Sequence, residues 1–346
     1  MKKSLFSLLT CLILVVTARA EFYFFTDLGT IGSYTFLGAT GINNNGDIVG
    51  TAYESSGRPI AFSYSAGAFS IAPSPGPSHS TWGNAINDSG TIVGLCDRTG
   101  HPSGSVYHAF YANLGGSAVD FDSNFTRNSE AKAINETSYV VGSLTGQSFL
   151  GHTSGWIMPL GPILGNDFAA RDLNNSYVVV GNGIWGGMTY DALSGTITYL
   201  GFALGFDWTN QAAAINDAGV VAGKLGSQGF IDAGGVVTLF GAGVAEVLGM
   251  NATADVVGST TGGHAFVYLK SSGHFIDLNT VVASSVSSIW TLTRATGIND
   301  HGVICGQARR LATLADGPGS GMYVYRAVKL SPFTFIFFPP IILSTP

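Results

Sequence analysis

Seven times along this chain, a strand of alternating tiny and larger side chains meets a large apolar residue, an asparagine, a polar turn and a β-branched pair closed by glycine. The apolar residue is Ile42, Ile86, Ile134, Leu173, Ile215, Met250 or Ile298. The asparagine after it is Asn43, Asn87, Asn135, Asn174, Asn216, Asn251 or Asn299. Two and four residues before the asparagine the side chains are mostly small, as in Ala131 and Ala133 or Ala295 and Gly297. Period-two alternation of this kind predicts a strand with one face pressed on a close neighbour. The turn opens with Asn44, Asp88, Glu136, Asn175, Asp217, Ala252 or Asp300, and Gly46, Gly90, Gly219 and Gly302 follow in four copies. That is hairpin chemistry, in which Asn and Asp bond nearby backbone and glycine accepts positive φ. Ser138 and Tyr177 hold the glycine position in the third and fourth copies, so those turns are expected to differ or to be strained.

Seven residues after each asparagine stands a glycine: Gly50, Gly94, Gly142, Gly181, Gly223, Gly258 and Gly306. Glycine inside a strand marks a bulge or a place where another backbone crowds in, and seven at one register suggest strands converging on an axis. A third strand with an aromatic follows, as in Ala61-Phe62-Ser63-Tyr64, then a fourth, as in Val237-Thr238-Leu239-Phe240. Four short strands recurring with a mean period of about 43 residues predict an all-β fold, a β-propeller of seven four-stranded blades. The segment Phe22–Gly29 resembles a fourth strand yet precedes the first copy, so it is expected to complete the last blade beside Tyr323-Val324-Tyr325 and close the ring. An open β-solenoid is the alternative, although its edges would stay exposed.

Lys2 and Lys3, an apolar run from Leu5 to Val16 and Ala18-Arg19-Ala20 read as a signal peptide over residues 1–20. Leu9-Thr10-Cys11 only loosely matches a lipid-attachment site. The propeller is expected over residues 21–330, and a Phe/Pro-rich tail over 331–346 is too short and too broken by proline to span a bilayer as a helix. Secretion or surface display of a monomer follows, with the periplasm as a further location. Without the leader, 12 basic residues face 21 acidic ones, and no basic stripe is present to displace phosphate counterions, which excludes nucleic acid as a partner. Cys96 and Cys305 are read as two buried thiols, with a disulfide as the alternative.

The repeat resembles that of the bacterial extracellular HAF family, which joins an Ala-x-x-Ile-Asn-x-x-Gly-x-Val-Val-Gly hairpin to a downstream His-Ala-Phe. The tripeptide occurs here as His108-Ala109-Phe110 and His264-Ala265-Phe266, with Ile60-Ala61-Phe62 a partial match. The resemblance spans about residues 22–330. It implies secretion or surface display and carries over no reaction, cofactor or catalytic residue.

Candidate contacts come from the variable positions five and three before each asparagine, which are expected to line one mouth of the central channel. They include Trp82, Glu130, Lys132, Arg171, Gln211, Glu246 and Arg294, with Trp208 and Trp290 just upstream. Tryptophan faces suit sugars, whereas packing between blades is the alternative use of large aromatics. The leading reading is a binding module for a glycan or a surface protein; a carbohydrate-active enzyme, a glycosidase or lyase with Glu130 and Glu246 as its carboxylates, is the alternative. Blades three and six lie nearly across the ring, which argues against that pairing. The Asn/Asp turns, Asn43-Asn44-Asn45-Gly46-Asp47 above all, read as hairpins and not as Ca²⁺ loops, because most offer one carboxylate or none. Neither a metal nor a cofactor is called for.

Overall fold

The computed structural model describes residues 22–34, 36–76, 80–98, 106–121, 128–202, 209–313 and 323–333. The leader, the tail from residue 334 onward, and Trp208 lie outside them. The fold is a propeller of seven four-stranded antiparallel blades. Blade one consists of Phe36–Ile42, Ile48–Tyr53, Pro59–Ser65 and Ala68–Ile71, from the axis outward. The innermost strands of blades two to seven are Thr81–Ile86, Ser129–Ile134, Ala169–Leu173, Gln211–Ile215, Val244–Met250 and Thr291–Ile298. Blade seven takes its outer strand from the start of the chain: Tyr23–Asp27 runs antiparallel to Tyr323–Pro332, pairing Tyr23 with Pro332 and Asp27 with Val328. The expected closure is therefore realised. Apolar side chains are buried between neighbouring blades, as where Leu37, Ile48 and Phe62 of blade one meet Cys305 and Ala327 of blade seven. Cys96 and Cys305 are both buried thiols and no bridge joins them; burial pushes the Cys305 thiol up to about 12.

The repeated asparagines form a closed ring around the axis. Each side-chain amide donates to the backbone carbonyl of the asparagine in the next blade, at 3.0 Å from Asn43 to Asn87, 3.1 Å from Asn87 to Asn135, 3.1 Å from Asn135 to Asn174 and 3.0 Å from Asn174 to Asn216. Asn216 donates to Asn251 at 3.3 Å, Asn251 to Asn299 at 3.3 Å, and Asn299 back to Asn43 at 3.0 Å. The side-chain oxygen of the same residue accepts the amide four residues on, that of Tyr139 at 2.8 Å in blade three, which pins the hairpin. Every asparagine of the ring is buried. Asparagine suits this position because one short side chain offers both a donor and an acceptor.

Two features follow from so narrow an axis. In all seven blades the register slips at the residue three before the asparagine, an extra residue that makes a β-bulge, as between Ala39 and Gly41. The glycine seven after the asparagine then faces the carbonyl oxygen of the residue five before it, so a methyl at Gly142 would overlap the Glu130 oxygen. In five blades a phenylalanine of the third strand also lies across this glycine: Phe62, Phe110, Phe149, Phe230 and Phe266. The crowding that the glycines relieve thus comes from their own blade, not from strands meeting at the axis. In blade four Phe168, upstream of the inner strand, takes over that packing against Gly181.

The turns of blades three and four keep the common conformation and carry the strain. Ser138 has φ 64° and Tyr177 φ 63°, and Ala254 does the same in blade six at φ 60°. Replacing Ser138 by glycine should stabilise the protein by roughly 1 kcal/mol, read as a shifted urea midpoint. Asn135→Asp keeps the size and the acceptor but removes the donor from a buried link. A loss of about 2 kcal/mol is expected in the same assay, and an unchanged midpoint would deny the ring its structural role.

Candidate functional site

The channel opens at two mouths whose chemistry differs. The mouth at the asparagine turns is a depression of about 250 Å³ lined by Asp88, Glu136, Asp172, Asp217 and Asp300 and, among the described residues, by no lysine or arginine. Four of its five carboxylates are engaged in a second ring. The residue after each asparagine offers its backbone amide to the side chain of its counterpart in the next blade: Asn44 to Asp88 at 2.7 Å, Asp88 to Glu136 at 2.9 Å, Glu136 to Asn175 at 2.9 Å and Asn175 to Asp217 at 2.8 Å. Ala252 supplies no acceptor, so the ring skips one link before continuing through Asp300 and back to Asn44. Burial, and then the charges of Asp88, Asp217 and Asp300, push the Glu136 carboxyl above its ordinary value, against the hydrogen bond from the Asp88 amide.

Asp172 departs from the repeat. It stands two before its asparagine, where the other blades have glycine or alanine and where a methyl added at Gly41 would come within 3.3 Å of Ala85 in the next blade. Its carboxylate accepts the Ile215 amide of blade five at 3.0 Å and the Leu173 amide at 2.9 Å. Burial pushes this carboxyl up to about 6 despite those two donors, and Asp217 adds to the shift. With the folded value above the unfolded one, the group favours folding most below about pH 4, and that contribution is lost as the pH rises through about 6. Asp172→Asn should therefore be the more stable protein at pH 7.5, with its advantage gone at pH 4. A gap between the two thermal midpoints that does not change with pH would refute this.

The opposite mouth, where the inner strands begin, is a larger depression of about 420 Å³. Glu130, Lys132, Arg171, Gln211 and Glu246 all line it. Five of the expected contact residues therefore meet, and the two glutamates share one depression although they come from blades three and six. Glu130 accepts from the Asn84 amide at 3.1 Å, and Glu246 holds Arg294 at 2.8 Å and the Ser259 hydroxyl at 3.2 Å. Trp82 and Trp290 are not part of this lining. Trp82 is half-buried and sits edge-on to Tyr107 at 5.9 Å. Trp290 packs on the core between blades six and seven, 6.2 Å from Phe25, with the Arg310 guanidinium over its face.

Asn84, Asn182 and Lys224 complete the polar lining. Asn182 and Lys224 each follow the repeated glycine, in cross-strand register with Ala169 and Gln211, so the same count that located the glycines points to them. They brace neighbouring blades: Asn182 donates to the Ala212 carbonyl at 2.9 Å and accepts its amide at 2.7 Å, and Lys224 donates to the Ala245 carbonyl at 3.0 Å.

The His-Ala-Phe tripeptide lies at neither mouth. His108 stands on the third strand of blade two and His264 just before that of blade six, and they pair through Nδ1 with Asp120 at 2.9 Å and Asp277 at 2.6 Å on the outer strands. The Ala109 amide donates to the Ser129 hydroxyl of the next blade at 2.9 Å, and Phe110 covers Gly94. Each member of the motif thus does a packing task.

No protein-family model and no curated protein matches this chain, so the HAF resemblance rests on its motifs. Solved structures do resemble it. The extracellular domain of the putative one component system BT4673 from B. thetaiotaomicron matches with a TM-score of 0.57 at 11% identity, over 93% of this chain and 41% of that one. A second structure, described as the extracellular domain of the putative hybrid two component system BT4673, matches with a TM-score of 0.56 at 9% identity, over 91% of this chain and 40% of that one. The chain spans about two fifths of the length of these structures, and the likeness is one of fold.

Proposed function

We propose that this chain is a secreted or surface-exposed binding module whose ligand, a glycan or an exposed segment of a surface protein, occupies the mouth at the start of the inner strands. One observation carries the reading. The repeat holds its asparagines, glycines and small residues nearly constant, while Glu130, Lys132, Arg171, Gln211 and Glu246 differ from blade to blade and face one depression. Side chains that vary at a single place on a regular scaffold suit recognition of an irregular ligand. The polar lining with few aromatics suits a hydroxyl-rich or charged partner. Extracellular domains among the structural neighbours agree with this setting, although fold by itself names no function.

A glycan array and a surface-protein array probed with the purified chain test the reading, with a Glu130→Ala, Gln211→Ala, Glu246→Ala variant beside it. Specific binding lost by a variant that melts like the parent is the expected result. Binding that survives the three substitutions would move the ligand to another surface and overturn the assignment.

A further inference from the structure

The bulge residue shows how the mouth differs between sectors. In blades seven, one and two it is Thr296, Thr40 and Asn84, and each reaches across to a carbonyl of the following blade: Ala39 at 2.9 Å, Gly83 at 2.7 Å and Ala131 at 2.8 Å. These short side chains stitch the inner strands together. In blades three and four the same position holds Lys132 and Arg171, which make no such bond and have no hydrogen-bond or ion-pair partner among the described residues. Gln211, on the inner strand of blade five, is likewise without a partner among them. The other polar side chains of the depression are committed: Glu246 to Arg294, Asn182 to Ala212 and Lys224 to Ala245. Three consecutive blades therefore direct an ammonium, a guanidinium and an amide into one depression with their hydrogen-bonding capacity unspent.

Charge indicates what they would take. Among the described residues, three cations and two carboxylates line this mouth, with Glu246 already paired, whereas five carboxylates and no lysine or arginine line the opposite one. A channel polarised in this way draws an anion to the first mouth and repels it from the second. Arginine presents a planar fork that matches a carboxylate with two parallel hydrogen bonds, and lysine adds a mobile charge. The turn just beyond Asn182 holds Trp185, with 54% of its surface exposed, at the same end of blade four.

We propose that blades three to five bind a carboxylate-bearing sugar of the hexuronic acid class, with Lys132 and Arg171 on the carboxylate and Gln211 on a neighbouring hydroxyl. The inference rests on the binding reading above and narrows it to an acidic saccharide.

Calorimetric titration of the purified chain with a galacturonate oligosaccharide, and with the same oligosaccharide after reduction of its carboxyl groups, separates the two claims. The acidic form should bind at least about tenfold more tightly than the reduced one and weaken as salt is raised. A Lys132→Ala, Arg171→Ala double variant should lose about 100-fold in affinity for the acidic form, whereas Lys270→Ala, a cation in the turn after the third strand of blade six, should lose nothing. Neither side chain has a hydrogen-bond or ion-pair partner among the described residues to sacrifice, and an unchanged melting curve checks that the variant folds. Equal affinity for the two sugars, or a double variant that binds as well as the parent, overturns the acidic assignment and leaves a neutral ligand in place. Absence of binding to either sugar also overturns it; the binding reading itself falls only if the arrays are blank as well.

Discussion

A hydrogen bond from the amide of one asparagine to the backbone carbonyl of the next, made seven times and closed on itself, organises this molecule. All seven asparagines are buried, so a missing partner would leave a polar group shielded from bulk water. Each asparagine carbonyl also accepts from the residue three on in its own turn, as Gly46 donates to Asn43 at 3.1 Å, so each carbonyl serves both a turn and the neighbouring blade. An unpaired buried donor or acceptor costs about 1–3 kcal/mol, so one failed link would take a sizeable part of the stability of a domain.

Much else in the repeat accommodates this ring. Six of the seven blades carry glycine or alanine two residues before the asparagine, Asp172 being the exception, and the bulge adds one residue so that the inner strand can bend there. The bent carbonyl then leaves room only for glycine on the second strand, and that glycine lets a phenylalanine lie flat on the sheet in most blades. The asparagine mouth is largely spent on its own second ring. The other mouth is under no such demand, which leaves its side chains free to differ between blades. There the bulge residue either stitches two blades, as Thr40, Asn84 and Thr296 do, or extends into the depression, as Lys132 and Arg171 do.

The blade count, the closure by Phe22–Gly29 and the mouth formed by the variable positions were legible because they depend on spacing, which a repeat displays. The bulge was not, since an inserted residue present in every copy leaves the period unchanged. The glycines were correctly located and their neighbours misread: the crowding atom is a carbonyl in the same blade, and only the bulge brings it there. Asn182 and Lys224 were overlooked although they follow the glycines directly, because the second strand was read for its β-branched pair alone. The tryptophans attracted a ligand reading through their chemistry, yet Trp290 is occupied with Phe25 and Arg310. Asp172 was grouped with no site, and its distinctness emerges only when the column two before the asparagine is seen to be otherwise glycine and alanine.

Hydrogen–deuterium exchange followed peptide by peptide, with and without the galacturonate oligosaccharide, tests the joint claim of a rigid axial ring and a separate open mouth. The account predicts that amides bonded to the asparagine side chains, those of Asp47, Tyr139 and Val303 among them, exchange only with global unfolding even without ligand. It also predicts that added ligand slows exchange near residues 130–132, 169–171 and 211 alone. Fast exchange at the ring amides, or protection by ligand centred on the asparagine turns, would contradict it.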